Sequence, residues 1–268
     1  MKNQYLLTPF FLDDKVPGLT PLARPEWRVI SADLPAATMA ADRSFAEVSA
    51  KERQARMAVL YQPLRDAVAE AASQANRPVS IAGDCCTSLA VFAGLQKAGL
   101  KPNLIWFDAH GDFNTWETTP SGFLGGMPLA MLVGRGEQTL PHSVGLQNVP
   151  EAHVLLTDAR DLDPGERLAV EASSVRVVPN PAALLDVELA DGPLYIHFDS
   201  DILDPIEAPA MNYPAPGGPS SETLRQVFRR LAATGRIAAV SLSAWNPELD
   251  EDGATSNLVM SLLAELVA

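Results

Sequence analysis

Cysteine is nearly absent from this 268-residue chain: there are two, and they are neighbours, Cys85 and Cys86. Adjacent cysteines are poorly placed to staple distant segments, so a disulfide-held secreted scaffold is excluded and a reducing, cytoplasmic setting is expected. Basic charge is also scarce. Lys and Arg together number 20 against 33 Asp and Glu, a net charge of −13. That balance disfavours phosphate backbones and anionic lipid, and leaves carboxylates free for cations. No apolar run approaches the roughly 20 residues of a membrane span. The first residues carry Pro9, Asp13, Asp14 and Pro17 where a secretory leader would have a basic segment and an apolar one. Neither nucleic acid nor a membrane is an expected partner.

What is present is an apolar content of 47%, enough for a full core in one domain spanning the chain. Residues 1–43 are rich in Pro and Asp without periodicity and read as an irregular surface arm, with a strand at most near 28–31. Apolar residues recur at helical spacing over 44–75, with Pro63 marking a break or a fresh start, so that one long helix or two shorter ones are expected. Short β-rich runs follow at 79–82, 104–107, 154–157, 175–178, 194–198 and 239–243. Helical patterns lie between or after them at 87–98, 127–133, 165–172, 182–189, 220–233 and 253–267. Strands alternating with helices specify an α/β fold whose mostly parallel sheet is covered on both faces. Ligand sites in such sheets form at the carboxyl ends of the strands.

The chemistry sits at two of those ends. Leu104-Ile105-Trp106-Phe107 runs into Asp108-Ala109-His110-Gly111-Asp112, and the run ending at Phe198 continues as Asp199-Ser200-Asp201-Ile202-Leu203-Asp204-Pro205. Each cluster alone could be a helix cap or a turn, which Asp supplies routinely. Two clusters ending separate apolar strands point instead to one crevice whose carboxylates would repel without divalent cations. Carboxylate and imidazole donors suit Mn²⁺, with Fe²⁺ or Zn²⁺ as further options. His197, two residues before Asp199, shares its face of the strand. It is either a packed core group or a hydrogen-bond donor and proton carrier for the site.

These motifs resemble those of the arginase, agmatinase and formiminoglutamase group, the ureohydrolases. The resemblance extends to Asn114-Thr115, Thr118-Thr119-Pro120-Ser121-Gly122, Gly126-Met127-Pro128, the run from Arg160 to Glu166, and Asn246-Pro247. It implies a three-layer α/β/α sandwich and two Mn²⁺ ions sharing a hydroxide that attacks a guanidinium-type carbon. It implies that Asp108, Asp112 and Asp199 hold one metal, and that Asp108, His110, Asp199 and Asp201 hold the other. Asp112 and His197 are the candidate catalytic residues. Asn114, Ser121, Thr119 and Asp163 match the family's contacts to the carboxylate and amino group of an amino-acid-like substrate, and a homo-oligomer, trimer or hexamer, is expected.

The chain departs from that pattern at three places. The family's Gly-Gly-Asp-His reads Gly83-Asp84-Cys85 here, so Cys85 takes the position of a metal-binding His. It is either a softer ligand or a buried packing group. Gly125 stands where arginases carry a proton-shuttling His, and Ala244 where they carry a Glu that anchors the guanidinium. Trp245 either offers a π face to a cation or fills the core. The Cys and Gly replacements resemble the hydroxyarginine-hydrolysing branch, from which Ala244 departs. Two functions follow as expectations: a metal-dependent hydrolase of a linear C–N bond, amidine or guanidine, or a degenerate relative that binds metal or amino acid without turnover.

Overall fold

The computed structural model describes residues 1–31, 49–243 and 245–268; Ala244, the missing guanidinium anchor, and the start of the 44–75 helical pattern lie outside the described residues. Ten strands are present among them: β1 (Asn3–Thr8), β2 (Phe10–Phe11), β3 (Asp14–Lys15), β4 (Arg28–Val29), β5 (Arg77–Ala82), β6 (Asn103–His110), β7 (Val154–Asp161), β8 (Arg176–Val178), β9 (Leu194–Asp199) and β10 (Ile237–Ser243). Eight form one sheet in the order β4-β1-β5-β10-β9-β6-β7-β8. Every pairing within it is parallel, while β2 and β3 make a separate antiparallel pair.

The helices are α1 (Ala50–Ser73), α2 (Ser88–Lys97), α3 (Pro128–Leu132), α4 (Thr139–Ser143), α5 (Pro164–Glu171), α6 (Ser221–Ala233) and α7 (Ala254–Leu266). They split between two cores. Leu60, Leu64, Leu89 and Phe92 from α1 and α2 pack with Leu104, Trp106 and Tyr195 on one face. Leu224, Phe228, Leu262 and Leu266 from α6 and α7 pack with Ile105, Phe107, Ile196 and Phe198 on the other. Successive strand residues thus feed opposite cores, as a doubly covered parallel sheet requires, and the three-layer α/β/α arrangement expected from the sequence is present.

Three expectations need correction. The first residues are not an irregular arm: β1 is an inner strand, pairing with β5 from Asn3 to Thr8 and with β4 on its other edge. Its polar start hid it, because its buried half is only Leu6, Leu7 and Thr8. Pro63 neither breaks nor restarts a helix, for α1 runs through it. Burial of Met57, Leu60, Tyr61 and Leu64 on both sides of that proline outweighs the one hydrogen bond it cannot donate. The pattern at 182–189 gives only a 3₁₀ turn, Pro181–Leu185.

Alternation decides which face carries the chemistry. Trp106 and Tyr195 point into the core under α1 and α2, so Asp108 and His197, two residues on, and Asp199, four on, emerge on that same face. Ser241 and Ser243 of β10 do so too, paired in register with His197 and Asp199.

Candidate metal centre

The loop after β5 approaches from one side. Gly83 packs so closely that a Cβ there would lie 2.4 Å from the Phe10 carbonyl oxygen, which only glycine permits. The Asp84 carboxylate accepts hydrogen bonds from Leu12 N at 2.7 Å and Cys86 N at 2.8 Å, fixing the turn that presents Cys85. The Cys85 thiol donates to Asp199 Oδ2 at 2.7 Å and lies 3.9 Å from Asp108 Oδ2. Ser243 Oγ donates to Cys85 Sγ at 3.0 Å. Cys86 packs in the core, its thiol donating to Leu124 O at 3.7 Å.

The acidic strand ends meet these groups. Asp108 Oδ1 accepts from His110 N at 2.7 Å, and Oδ2 accepts from Trp106 Nε1 at 3.0 Å. His110 Nδ1 sits 3.1 Å from Asp201 Oδ2 and 3.4 Å from Asp108 Oδ1. Asp199 Oδ1 caps the following 3₁₀ turn by accepting from Asp201 N at 2.8 Å. Asp112 is held at a left-handed φ of 50°, and its Oδ2 is buried without a partner.

Electrostatics follow from this crowding. Burial first, then the charges of Asp108 and Asp199, hold the Asp112 carboxyl well above its ordinary value. Burial, then Asp201 and Asp108, does the same to Asp199, and burial with Asp201 raises Asp108. Burial would lower His110, but the carboxylates of Asp108 and Asp201 outweigh it and push the imidazole up to about 12. Burial, then Asp199, Asp112 and Asp108, drives the Cys85 thiol up. Unaided, the cluster retains protons; a divalent cation would displace them.

Two sets of donors are close enough to share an ion: Cys85, Asp108, His197 and Asp199, and Asp108, His110 and Asp201, with ligand atoms within 4.8 Å of one another in each. Asp112 falls in neither set but faces both through its charge. The orphaned buried oxygen of Asp112, the orphaned Nε2 of His197 and the mixture of O, N and S donors fit a divalent cation.

Cys85, Asp108, His110, Asp112, Asp199 and Asp201 floor a cavity of about 420 Å³. One wall is polar: Asn114, Thr119, Ser121 and Asp163 all line it. Asn114 Nδ2 donates to Asp163 Oδ2 at 2.9 Å, and the Thr119 and Ser121 hydroxyls are 3.3 Å apart. The other wall is aromatic, built by Phe11, Phe123 and Tyr213, the Phe123 ring lying 6.2 Å from Phe11 and 5.3 Å from Tyr213 between centroids. The sequence carries no signal for that wall, which joins three segments far apart in the chain. Nor does it single out Glu166, whose buried carboxylate accepts from Phe113 N at 2.8 Å and Asp163 N at 3.2 Å. Two candidate residues do not line the cavity. Trp245 is buried in the core under α6 and α7, and His197 lies fully buried beneath the floor.

The sequence profile described as the Arginase family matches residues 31–268. An N(omega)-hydroxy-L-arginine amidinohydrolase of Streptomyces lavendulae is 34% identical over 76% of this chain and 73% of its own length. An arginase of Bacillus caldovelox is 31% identical over 76% of this chain and 72% of its own. Among solved structures, Entamoeba histolytica arginase in complex with L-ornithine superposes with a TM-score of 0.82 at 22% identity, covering 100% of this chain and 98% of that one.

Proposed function

The chain belongs to the arginase family, and we propose that it is a metal-dependent hydrolase of a linear C–N bond, of amidine or guanidine type, in an amino-acid-like substrate. One observation carries this reading: Asp108, His110, Asp112, Asp199 and Asp201 converge from two strand ends on the floor of a single cavity, their carboxylates too crowded to ionise without cations.

Cys85, Asp108, Asp112 and Asp199 are the residues that would hold one ion, and Asp108, His110, Asp199 and Asp201 the other, with Mn²⁺ as the family's usual metal and Zn²⁺ or Fe²⁺ suited to the sulfur. Divalent ions held there would polarise the reacting carbon–nitrogen group and bring the pKa of a coordinated water toward neutrality. Asn114, Thr119, Ser121 and Asp163 grip the α-carboxylate and α-amino group at the polar wall. Asp163 supplies the negative charge for the amine, and Glu166 holds the backbone on which it stands. Asp112, unpartnered at Oδ2, is the nearest carboxylate for handling a proton.

The distal end of the substrate meets the aromatic wall, and the sequence has Ala at 244 where an arginase has its anionic anchor. That combination suits a nitrogenous head less basic than a free guanidinium. The Streptomyces relative is named for an N-hydroxylated arginine, and an N–O bond withdraws electron density and lowers basicity. Assembly as a homo-oligomer in the cytoplasm belongs to the same reading. No helix among the described residues is long and apolar enough to cross a membrane.

Stripped protein reloaded with Mn²⁺ is expected to release urea, hydroxyurea or ammonia from guanidino, N-hydroxyguanidino or formimino acids, with the N-hydroxy compound favoured over arginine. The Phe123 ring, packed over Gly125 where a proton carrier would stand, favours a second reading, binding without turnover. Saturable binding across the panel with no product would establish that alternative, and absence of both binding and turnover would sink the two together.

A further inference from the structure

The donors at this centre are unequal. Asp108, His110 and Asp201 face the cavity, and the His110 side chain is 27% exposed. Cys85, Asp108 and Asp199 line the cavity as well, but the nitrogen grouped with them comes from His197, which is 0% exposed and lines no part of it.

His197 is held as ligating histidines are held. Its Nδ1 is 2.7 Å from Ser241 Oγ, and Ser241 is itself held by the Tyr195 hydroxyl at 2.6 Å. Its ring stacks on Trp106 with centroids 3.7 Å apart, and Trp106 in turn binds Asp108. Nε2 alone has no partner. Leaving a buried polar atom unpaired is costly, and an imidazole that binds a metal through one nitrogen characteristically anchors the other on an oxygen. Burial, an anchored Nδ1, an open Nε2 and a place in one donor group with two carboxylates and a thiol describe a ligand.

Resting on the reading that this centre binds divalent ions, we propose that His197 is a metal ligand through Nε2, completing with Cys85, Asp108 and Asp199 a buried site that selects Zn²⁺ over Mn²⁺. The nitrogen donor that the chain lacks at position 85 is thereby supplied from β9 instead of the loop after β5. One sulfur, one nitrogen and two carboxylate oxygens make a four-coordinate set of the kind zinc takes, and the thiol proton of Cys85 leaves to solvent as the ion enters. The shallower set of Asp108, His110 and Asp201, with oxygen and imidazole donors only, retains a preference for Mn²⁺. His197 then takes the fourth place that the reading above gave to Asp112, which is left free to handle protons, and the centre is a mixed pair sharing Asp108 and Asp199.

The test uses full-length protein, stripped and reloaded with Zn²⁺ or with Co²⁺ as its optical stand-in, comparing wild type with His197→Phe, which keeps a ring on Trp106. Wild type should show a thiolate-to-cobalt charge-transfer band and hold Zn²⁺ against a chelator. His197→Phe should lose Zn²⁺ affinity by more than about 100-fold, beyond what an outer hydrogen-bonding partner costs, with the band shifted or gone. Unchanged affinity and band in a folded variant would overturn the proposal and leave His197 as packing. If that variant fails to fold, His110→Ala loaded with one Zn²⁺ decides by X-ray absorption. A sulfur neighbour with imidazole scattering supports His197, and a sulfur neighbour without it does not. Wild type that takes up neither Zn²⁺, Co²⁺ nor Mn²⁺ would sink the metal reading as a whole, a different outcome from metal bound with His197 indifferent.

Discussion

The ring of Phe123 lies where any side chain at position 125 would have to go: a Cβ built on Gly125 would come within 2.3 Å of both Cε1 and Cζ of that ring. The missing proton carrier is therefore a paired change, glycine on one side and a phenyl wall on the other. Gly125→His is expected to cost about 1–3 kcal/mol through overpacking and to bring no gain in kcat. The double variant Phe123→Ala/Gly125→His should recover most of that stability and raise kcat about a hundredfold, the lower end of what a placed acid–base group contributes. Thermal melts beside steady-state assays check both halves. A Gly125→His single variant as stable as wild type would show that the ring yields freely.

Much of the site was legible because its logic is local. Leu104 to Phe107 and the run ending at Phe198 announce buried strands, and the aspartates after them stand at carboxyl ends whatever the rest of the chain does. Alternation along β9 places His197 on the face of Asp199, but not its depth beneath the cavity floor, since depth depends on Ser241 and Trp106 arriving from neighbouring strands. The aromatic wall was illegible for the same reason: Phe11, Phe123 and Tyr213 share no spacing, only a place. β1 escaped notice because a strand flanked by two others needs only three buried residues to hold its position.

Metal should stabilise the protein more as pH rises. In the metal-free fold Asp108, Asp112 and Asp199 keep protons above the 3.8 of an unfolded aspartate, and burial pushes Glu166 from 4.5 up to about 7. A carboxyl whose folded pKa is raised lends stability that is complete below its unfolded value and is lost as pH climbs through the folded one. Bound cations reverse that loss by displacing the protons. The gain in unfolding free energy on loading stripped protein with Mn²⁺, followed by thermal melts, is expected to widen as pH rises above 3.8 toward about 7, reaching about 4 kcal/mol at a thousand times Kd. A difference that stayed flat or shrank would contradict the assigned shifts.

Asp163 and Asn114 hold each other across the polar wall at 2.9 Å, leaving both poised for the polar end of a substrate. Asp163→Ala should raise KM about tenfold to a hundredfold, the range of a hydrogen bond to a charged group, with kcat changed far less because the reacting carbon lies elsewhere. Asn114→Ala should do the same for substrates with an α-carboxylate and nothing for the decarboxylated amines. Equal losses on both substrate classes would remove the carboxylate from the model of recognition.

Arg160 ties the loop carrying Asp201 to the loop beyond it. Its guanidinium pairs with Asp158 and donates to the carbonyls of Asp201 at 3.3 Å, Ile202 at 3.2 Å and Ala215 at 2.7 Å. Asp158 and Ala159 beside it are both at positive φ, 73° and 49°, a strained bend that those contacts hold in place. A lysine keeps the charge but cannot present a planar fork of donors. Arg160→Lys is expected to cost about 1–3 kcal/mol through carbonyls left without a donor and to weaken metal retention, followed by melts and by chelator competition. Loss of stability without loss of metal would confine Arg160 to the fold.

Glu166 decides whether the substrate wall and the metal floor are one rigid unit. Its carboxylate is 3% exposed and receives one backbone N–H from Phe113, just after Asp112, and another from Asp163, at the start of α5. It also sits so close to Gly111 that a Cβ there would lie 2.6 Å from Oε1, so no larger residue can intervene. Gln keeps the shape but turns one acceptor into a donor facing an N–H, and an unpaired buried donor costs about 1–3 kcal/mol. Because Phe113 follows Asp112, a proposed metal ligand, and Asp163 lines the proposed substrate wall, the loss should reach both functions: Glu166→Gln is expected to lower Tm by about 2–8 °C, weaken Mn²⁺ binding and raise KM together. An effect on Tm alone would mean that the two walls are positioned independently, each by its own strand end.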